Sequence, residues 1–139
     1  MNPPARVLLA EDNADHAFFT TRAFQEAHGG VEMHTVTDGE QALAYLRQQG
    51  EFADAPRPHL VVLDLKMPKK NGLEVLAEMQ QDDALRTIPV VVLSSSDRPE
   101  DISASYAGGA NCYVTKPASL SEGVAELARY WVAIASLPA

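Results

Sequence analysis

The chain of 139 residues has one cysteine, Cys112, so no intramolecular disulfide is possible. That usage fits a reducing cytoplasm. It has no apolar run of transmembrane length. Its opening residues, Met1-Asn2-Pro3-Pro4, lack the charged start and long apolar stretch of a secretory signal. A cytoplasmic protein with no membrane partner is therefore expected. Basic residues are scarce, with eleven Lys and Arg against nineteen Asp and Glu and a formal net charge of −8. A phosphate backbone is bound through a basic footprint, so nucleic acid is excluded as the expected partner. The acidity suits a metal site or a basic protein surface, and equally plain solubility. Internal repeats and linker-like stretches are also missing. The length is that of one ordinary domain, with a core over about residues 5–130 and a C-terminal extension over about 131–139.

What is present is a core. Hydrophobic residues make up 46% of the chain. The most apolar stretch, Leu60-Val61-Val62-Leu63, drives straight into Asp64 and is followed by Leu65-Lys66-Met67-Pro68. It has the length and β-branched content of a strand buried on both faces. Asp64 is then either a polar cap on a strand end or a carboxylate placed there to be paired or to react. In open α/β sheets, the crevice outside the carboxyl ends of the strands is where ligands bind.

In chain order, Arg6 to Ala10 reads as a buried strand ending in Glu11-Asp12-Asn13. Ala14 to His28 reads as a helix stopped by Gly29-Gly30. Val31 to Val36 alternates as a half-polar strand near an edge. Asp38-Gly39 opens a second helix with Ala42, Leu43 and Leu46 on one face. Gln48 to Pro58 is a polar loop before the central strand. Asn71 is placed to cap a third helix, whose Val75, Leu76 and Met79 face inward. Ile88 to Leu93 is the next apolar strand, ending in Ser94-Ser95-Ser96. A short helix follows over Asp97 to Tyr106. Asn111 to Val114 is a last strand running into Thr115-Lys116-Pro117. Ser119 and Glu122 have capping-box spacing for a fifth helix, with Val124, Leu127, Ala128 and Trp131 on one face. Regular strand-helix alternation implies an α/β fold with a parallel sheet and helices on both faces.

A parallel sheet gathers Glu11-Asp12, Asp64, Ser94-Ser95 and Lys116-Pro117 on one rim. Three clustered carboxylates repel, and raise each other's proton affinity unless a cation intervenes. Mg²⁺ takes oxygen ligands and relies on one or two carboxylates plus phosphate oxygens. Asp12 and Asp64 are the expected direct ligands, with Glu11 acting through water and the Lys66 carbonyl closing the set. An aspartate can also be a nucleophile that becomes an aspartyl-phosphate. Phosphoryl transfer needs mainly positioning and charge neutralisation. The Lys116 ammonium, the Ser94 hydroxyl and the Ser95 N–H are placed to supply these. The histidines His16, His28, His34 and His59 show no metal-ligand spacing and read as structural or surface residues.

Glu11-Asp12, Asp64 with Pro68 and Gly72 after it, Ser94 and Lys116-Pro117 together resemble the motif set of response-regulator receiver domains, the CheY-like family. The resemblance covers nearly the whole chain. It implies a flavodoxin-like (βα)5 doubly wound fold with strand order 2-1-3-4-5. It also implies Mg²⁺, and a sensor histidine kinase that donates phosphoryl from phosphohistidine to Asp64. Ser94 matches the family's switch hydroxyl and Tyr113 its switch aromatic, which is expected to turn inward on phosphorylation. The Lys116–Pro117 peptide is expected to be cis. Asp64 to Gly72, Arg86-Thr87-Ile88-Pro89 and Gly109 to Tyr113 are similar to regulators paired with phytochrome kinases. In such regulators the fourth and fifth helices and the tail form a homodimer, and Trp131, Ile134 and Leu137 suit that role. Two residues depart from the commonest pattern. Lys66 stands where its side chain can reach the phosphoryl group or its attacking water, and Ser94 replaces the commoner Thr.

The reading is a phosphoacceptor switch and not an enzyme with a separate substrate. No output module is expected after the fifth helix, so output runs through protein contacts or onward phosphotransfer. An aspartate-nucleophile phosphatase needs a second Asp two residues after the first, where Lys66 stands. A flavodoxin-type cofactor module needs a phosphate loop where Glu11-Asp12 would repel phosphate. A receiver that only binds partners stays open as an alternative.

Overall fold

Five short segments, most of them rich in β-branched and aliphatic residues, pair side by side. In the computed structural model, which describes residues 5–118 and 120–138, they are β1 (Arg6–Ala10), β2 (Glu32–Val36), β3 (Leu60–Leu63), β4 (Val90–Ser94) and β5 (Cys112–Thr115). All pairings are parallel and the order is β2-β1-β3-β4-β5. β3 is buried along its whole length, whereas β2, at an edge, buries only Val36. The half-polar composition of β2 thus has its reason in its place.

Side-chain alternation splits the core in two. Leu8, Ala10, Val61, Leu63, Val90 and Val92 face α2 (Gly39–Leu46) and α3 (Gly72–Gln80). Val7, Leu9, Leu60, Val62, Val91 and Leu93 face α1 (Ala14–Ala27) and α5 (Leu120–Arg129). The third helix starts where its sequence says. Asn71 accepts from the Glu74 N–H while the Glu74 carboxylate accepts from the Asn71 N–H.

β2 and β5 begin one residue later than their sequence pattern, and two elements begin two residues later. β4 starts at Val90 and not Ile88, because Pro89 has no N–H for the ladder and lends only its carbonyl, to Val61. The short helix α4 (Pro99–Ala107) starts two residues past Asp97, with Pro99 in its first turn. The expected capping pair of Ser119 and Glu122 falls outside what is described, as does the side chain of Ile134. After α5 the chain makes a π-helical turn, Tyr130–Ile134. Trp131, Val132 and Leu137 fold back against the α1/α5 core. Among the described residues, no helix is long and apolar enough to cross a membrane.

Candidate functional site

The site is built by extending the sheet one residue past each strand. Glu11 follows β1, and its N–H donates to Val36 O at 2.9 Å. Asp64 follows β3, and its N–H donates to Ala10 O at 3.0 Å. Lys116 follows β5, and its N–H donates to Ser94 O at 2.7 Å. The backbone of each of these residues is thereby held by a neighbouring strand. Gly72 lets α3 start close behind the site, since a Cβ there would lie 2.5 Å from the Asp64 carbonyl oxygen.

The side chains converge. Lys116 Nζ donates to Glu11 Oε1 at 2.6 Å and to Asp64 Oδ2 at 3.1 Å, and lies 2.9 Å from His16 Nδ1. Asp64 Oδ1 accepts from the Lys66 N–H at 3.2 Å, and Glu11 Oε2 from the Asn13 N–H at 3.2 Å. Glu11 and Asp64 are buried and Asp12 is exposed, yet all three present carboxylate oxygens within 4.8 Å of one another. Burial pushes the Glu11 carboxyl up to about 7, the Lys116 hydrogen bond pulls against it, and the neighbouring Asp64 charge adds to the rise. An all-oxygen cluster of three carboxylates suits a hard divalent metal.

Around this centre lie the loops. Ser94 is fully buried, and its Oγ accepts from the Ser96 N–H at 3.3 Å, so its partner here is its own loop. Ser95 is exposed at the strand end. Tyr113 is half-buried against the α2/α3 core and donates its hydroxyl proton to Ser96 O at 2.7 Å. Lys66 is exposed and lines an open groove of about 600 Å³, which Asp12, Met67, Pro68, Ser96 and Arg98 also line.

A cluster of carboxylates and a buried lysine thus stands at the carboxyl end of a five-stranded 2-1-3-4-5 sheet. Residues 7–128 match the family model of the response regulator receiver domain. The chain belongs to that family. As a receiver domain it is 40% identical over 141 residues to the response regulator Rcp1 of Synechocystis sp., covering 99% of this chain and 96% of that protein. The Mn²⁺-bound structure of Rcp1 matches with a TM-score of 0.87 at 40% identity, covering 98% of this chain and 100% of that one. The phosphorylated cyanobacterial phytochrome response regulator RcpA matches with a TM-score of 0.93 at 44% identity, covering 98% and 99%. This receiver domain is therefore a response regulator of two-component signalling, with an acidic cluster suited to a divalent metal.

Two features differ from the sequence reading. There is no cis peptide among the described residues, so the Lys116–Pro117 bond is trans. Trans is the intrinsically favoured form, by about 0.5–1 kcal/mol for a bond to proline. In this geometry Pro117 packs so tightly on Gly123 that a Cβ there would approach its Cγ to 2.2 Å. The second difference is His16, read from sequence as structural or surface. Asn13 caps α1 by accepting the His16 N–H at 3.1 Å, which puts His16 in the first turn. Helical side chains lean toward the N-terminus, so its ring tilts back over the end of β1. A histidine three residues after a capping Asn that itself closely follows Glu11 was the available signal.

Proposed function

We propose that Asp64 is the phosphoacceptor of this receiver domain and that a sensor histidine kinase is the donor. A carboxylate oxygen of Asp64 attacks phosphorus, the P–O bond forms as the P–N bond to the donor histidine breaks, and that nitrogen leaves with the electron pair. The observation that carries this reading is the Lys116 ammonium, buried between Glu11 and Asp64 at the carboxyl end of the sheet. Lys116 is placed to pair with a phosphoryl oxygen as charge develops. Ser94 and the Ser95 N–H would serve the remaining oxygens once the Ser94 hydroxyl leaves its loop partner. Glu11, Asp12, Asp64 and the Lys66 carbonyl would hold Mg²⁺, which supplies charge neutralisation when bound. The Lys66 side chain, two residues from the acceptor, would tune phosphoryl lifetime.

The protein is read as a switch, not as an enzyme with a separate substrate. Phosphorylation would draw Ser94 off the Ser96 N–H. Ser96 O holds Tyr113, so the loop and the face of α4 and α5 would shift together. The kinase is proposed to be of phytochrome type, supported by the similarity to Rcp1 and RcpA. Residues of about 5–130 form one receiver unit with an extension over 131–139. Self-association through α4, α5 and the tail is supported by Tyr106 and Tyr130, exposed at 50% and 53%; a monomer by light scattering would remove it. The main test is incubation with acetyl phosphate and Mg²⁺ followed by intact mass. One phosphoryl group is expected on the wild type and none on Asp64→Asn. Failure of the wild type with both acetyl phosphate and a panel of histidine kinases would overturn the reading and favour a phosphate-independent binding module.

A further inference from the structure

We propose that His16 is a positioning residue for phosphoryl transfer, its Nδ1 holding the Lys116 ammonium at the point from which it serves Asp64. An ammonium has three protons to donate. Here three acceptors surround it: Glu11 Oε1 at 2.6 Å, His16 Nδ1 at 2.9 Å and Asp64 Oδ2 at 3.1 Å. They come from the end of β1, the first turn of α1 and the end of β3, so together they fix the nitrogen from three sides. The shortest contact is to Glu11 and the longest is to the acceptor aspartate. Lysine is a point charge on a flexible four-carbon stem and has no geometric preference of its own. Without the third acceptor its ammonium would settle toward Glu11 and away from Asp64.

An imidazole suits this place for a second reason. It offers a lone pair without adding charge. The site already holds the carboxylates of Glu11, Asp12 and Asp64. A fourth would add to the repulsion among them. The Asn13 cap accepts the His16 backbone N–H and so fixes the point from which the side chain leaves the helix.

This inference rests on the phosphoacceptor reading, and its test separates the two. Intact mass would follow the rate of phosphoryl incorporation from acetyl phosphate with Mg²⁺ in the full chain, in wild type, His16→Ala and His16→Asn. Asparagine places a neutral acceptor close to the Nδ1 position. His16→Ala is expected to slow incorporation about tenfold, the worth of one hydrogen bond to a charged group. His16→Asn is expected to recover most of the rate. In ¹⁵N-histidine-labelled protein, the His16 Nδ1 resonance is expected to move on Lys116→Met. A wild-type rate in His16→Ala, an Asn variant as slow as the Ala variant, or a ring resonance indifferent to Lys116→Met would each overturn the inference while leaving Asp64 as acceptor. No incorporation in the wild type would instead sink the phosphoacceptor reading, and this inference with it.

Discussion

Two glutamates in this protein each hold a lysine, and they behave in opposite ways. Glu11 pairs with Lys116 at 2.6 Å, and Glu78 pairs with Lys70 and, at 3.1 Å, with Arg47. Glu11 is 2% exposed and shares its site with Asp64, and burial drives its carboxyl up to about 7. Glu78 is about a third exposed, and hydrogen bonds from Lys70 and Arg47 hold it below the usual carboxylate range. At Glu11 the loss of water outweighs one shared cation. At Glu78 two cations outweigh a slight loss of water. The first cluster has an excess of anions and is built to receive a cation. The second is satisfied, and it ties the loop after β3 to α2 and α3. That loop needs tying, since Lys69 sits at φ 69° and Gly39 approaches Lys70 so closely that a Cβ would lie 2.1 Å from its carbonyl oxygen.

The contrast can be tested from its strongest side. Lys116→Met leaves two buried carboxylates without their cation. It is expected to cost about 3–5 kcal/mol of stability by urea unfolding without metal, and saturating Mg²⁺ is expected to recover part of that. Equal stability with and without Lys116 would mean the carboxylates never relied on it.

Next in size is the pH dependence. The folded form binds the Glu11 proton more tightly than the unfolded chain does. The Glu11 contribution is therefore full below about pH 4.5 and is lost as pH rises through about 7. Metal-free protein is expected to lose at most about 3 kcal/mol over that window, while Mg²⁺ affinity rises through it. Glu11→Gln is expected to flatten both trends in thermal melts and calorimetric titrations. Glu78 has the opposite sign. Its contribution is present above about pH 4.5 and is lost as pH falls through its depressed value.

Smallest is Glu78→Gln. It is expected to cost about 0.5–1 kcal/mol near neutral pH, an effect that shrinks in high salt because the pair is partly solvated. A salt-independent loss would place this cluster with the buried one.

Much of the fold was legible from patterns of short range. Apolar runs marked most of the strands and half-polar alternation marked β2, and Asn13, Asp38 and Asn71 precede helices that they do cap. The convergence of Glu11, Asp64 and Lys116 followed from parallel topology alone, because every strand of a parallel sheet ends on the same rim. Ring and loop placements were harder to read. Tyr113 was marked as a switch residue, but not its anchor on Ser96 O, nor the Ser96 hydroxyl bonded to Asp101. Those partners depend on how the loop after β4 folds, and no periodicity records that. The Arg47–Glu78–Lys70 cluster was missed for the same reason: Arg47 and Glu78 are 31 residues apart and ordinary in type.

Local chemistry in the chain was enough to assign a parallel sheet, helices on both its faces and the reactive residue types at the rim, because these rest on hydrophobic patterning and on the shared direction of parallel strands; the strand order was implied by the family resemblance. The protonation of Glu11 and the place of His16 were set at another level. One arises from the water removed when α1 and the strand ends close over a carboxylate. The other arises from a contact between residues 100 positions apart, one in the first turn of α1 and one just past β5, which only the folded chain brings together.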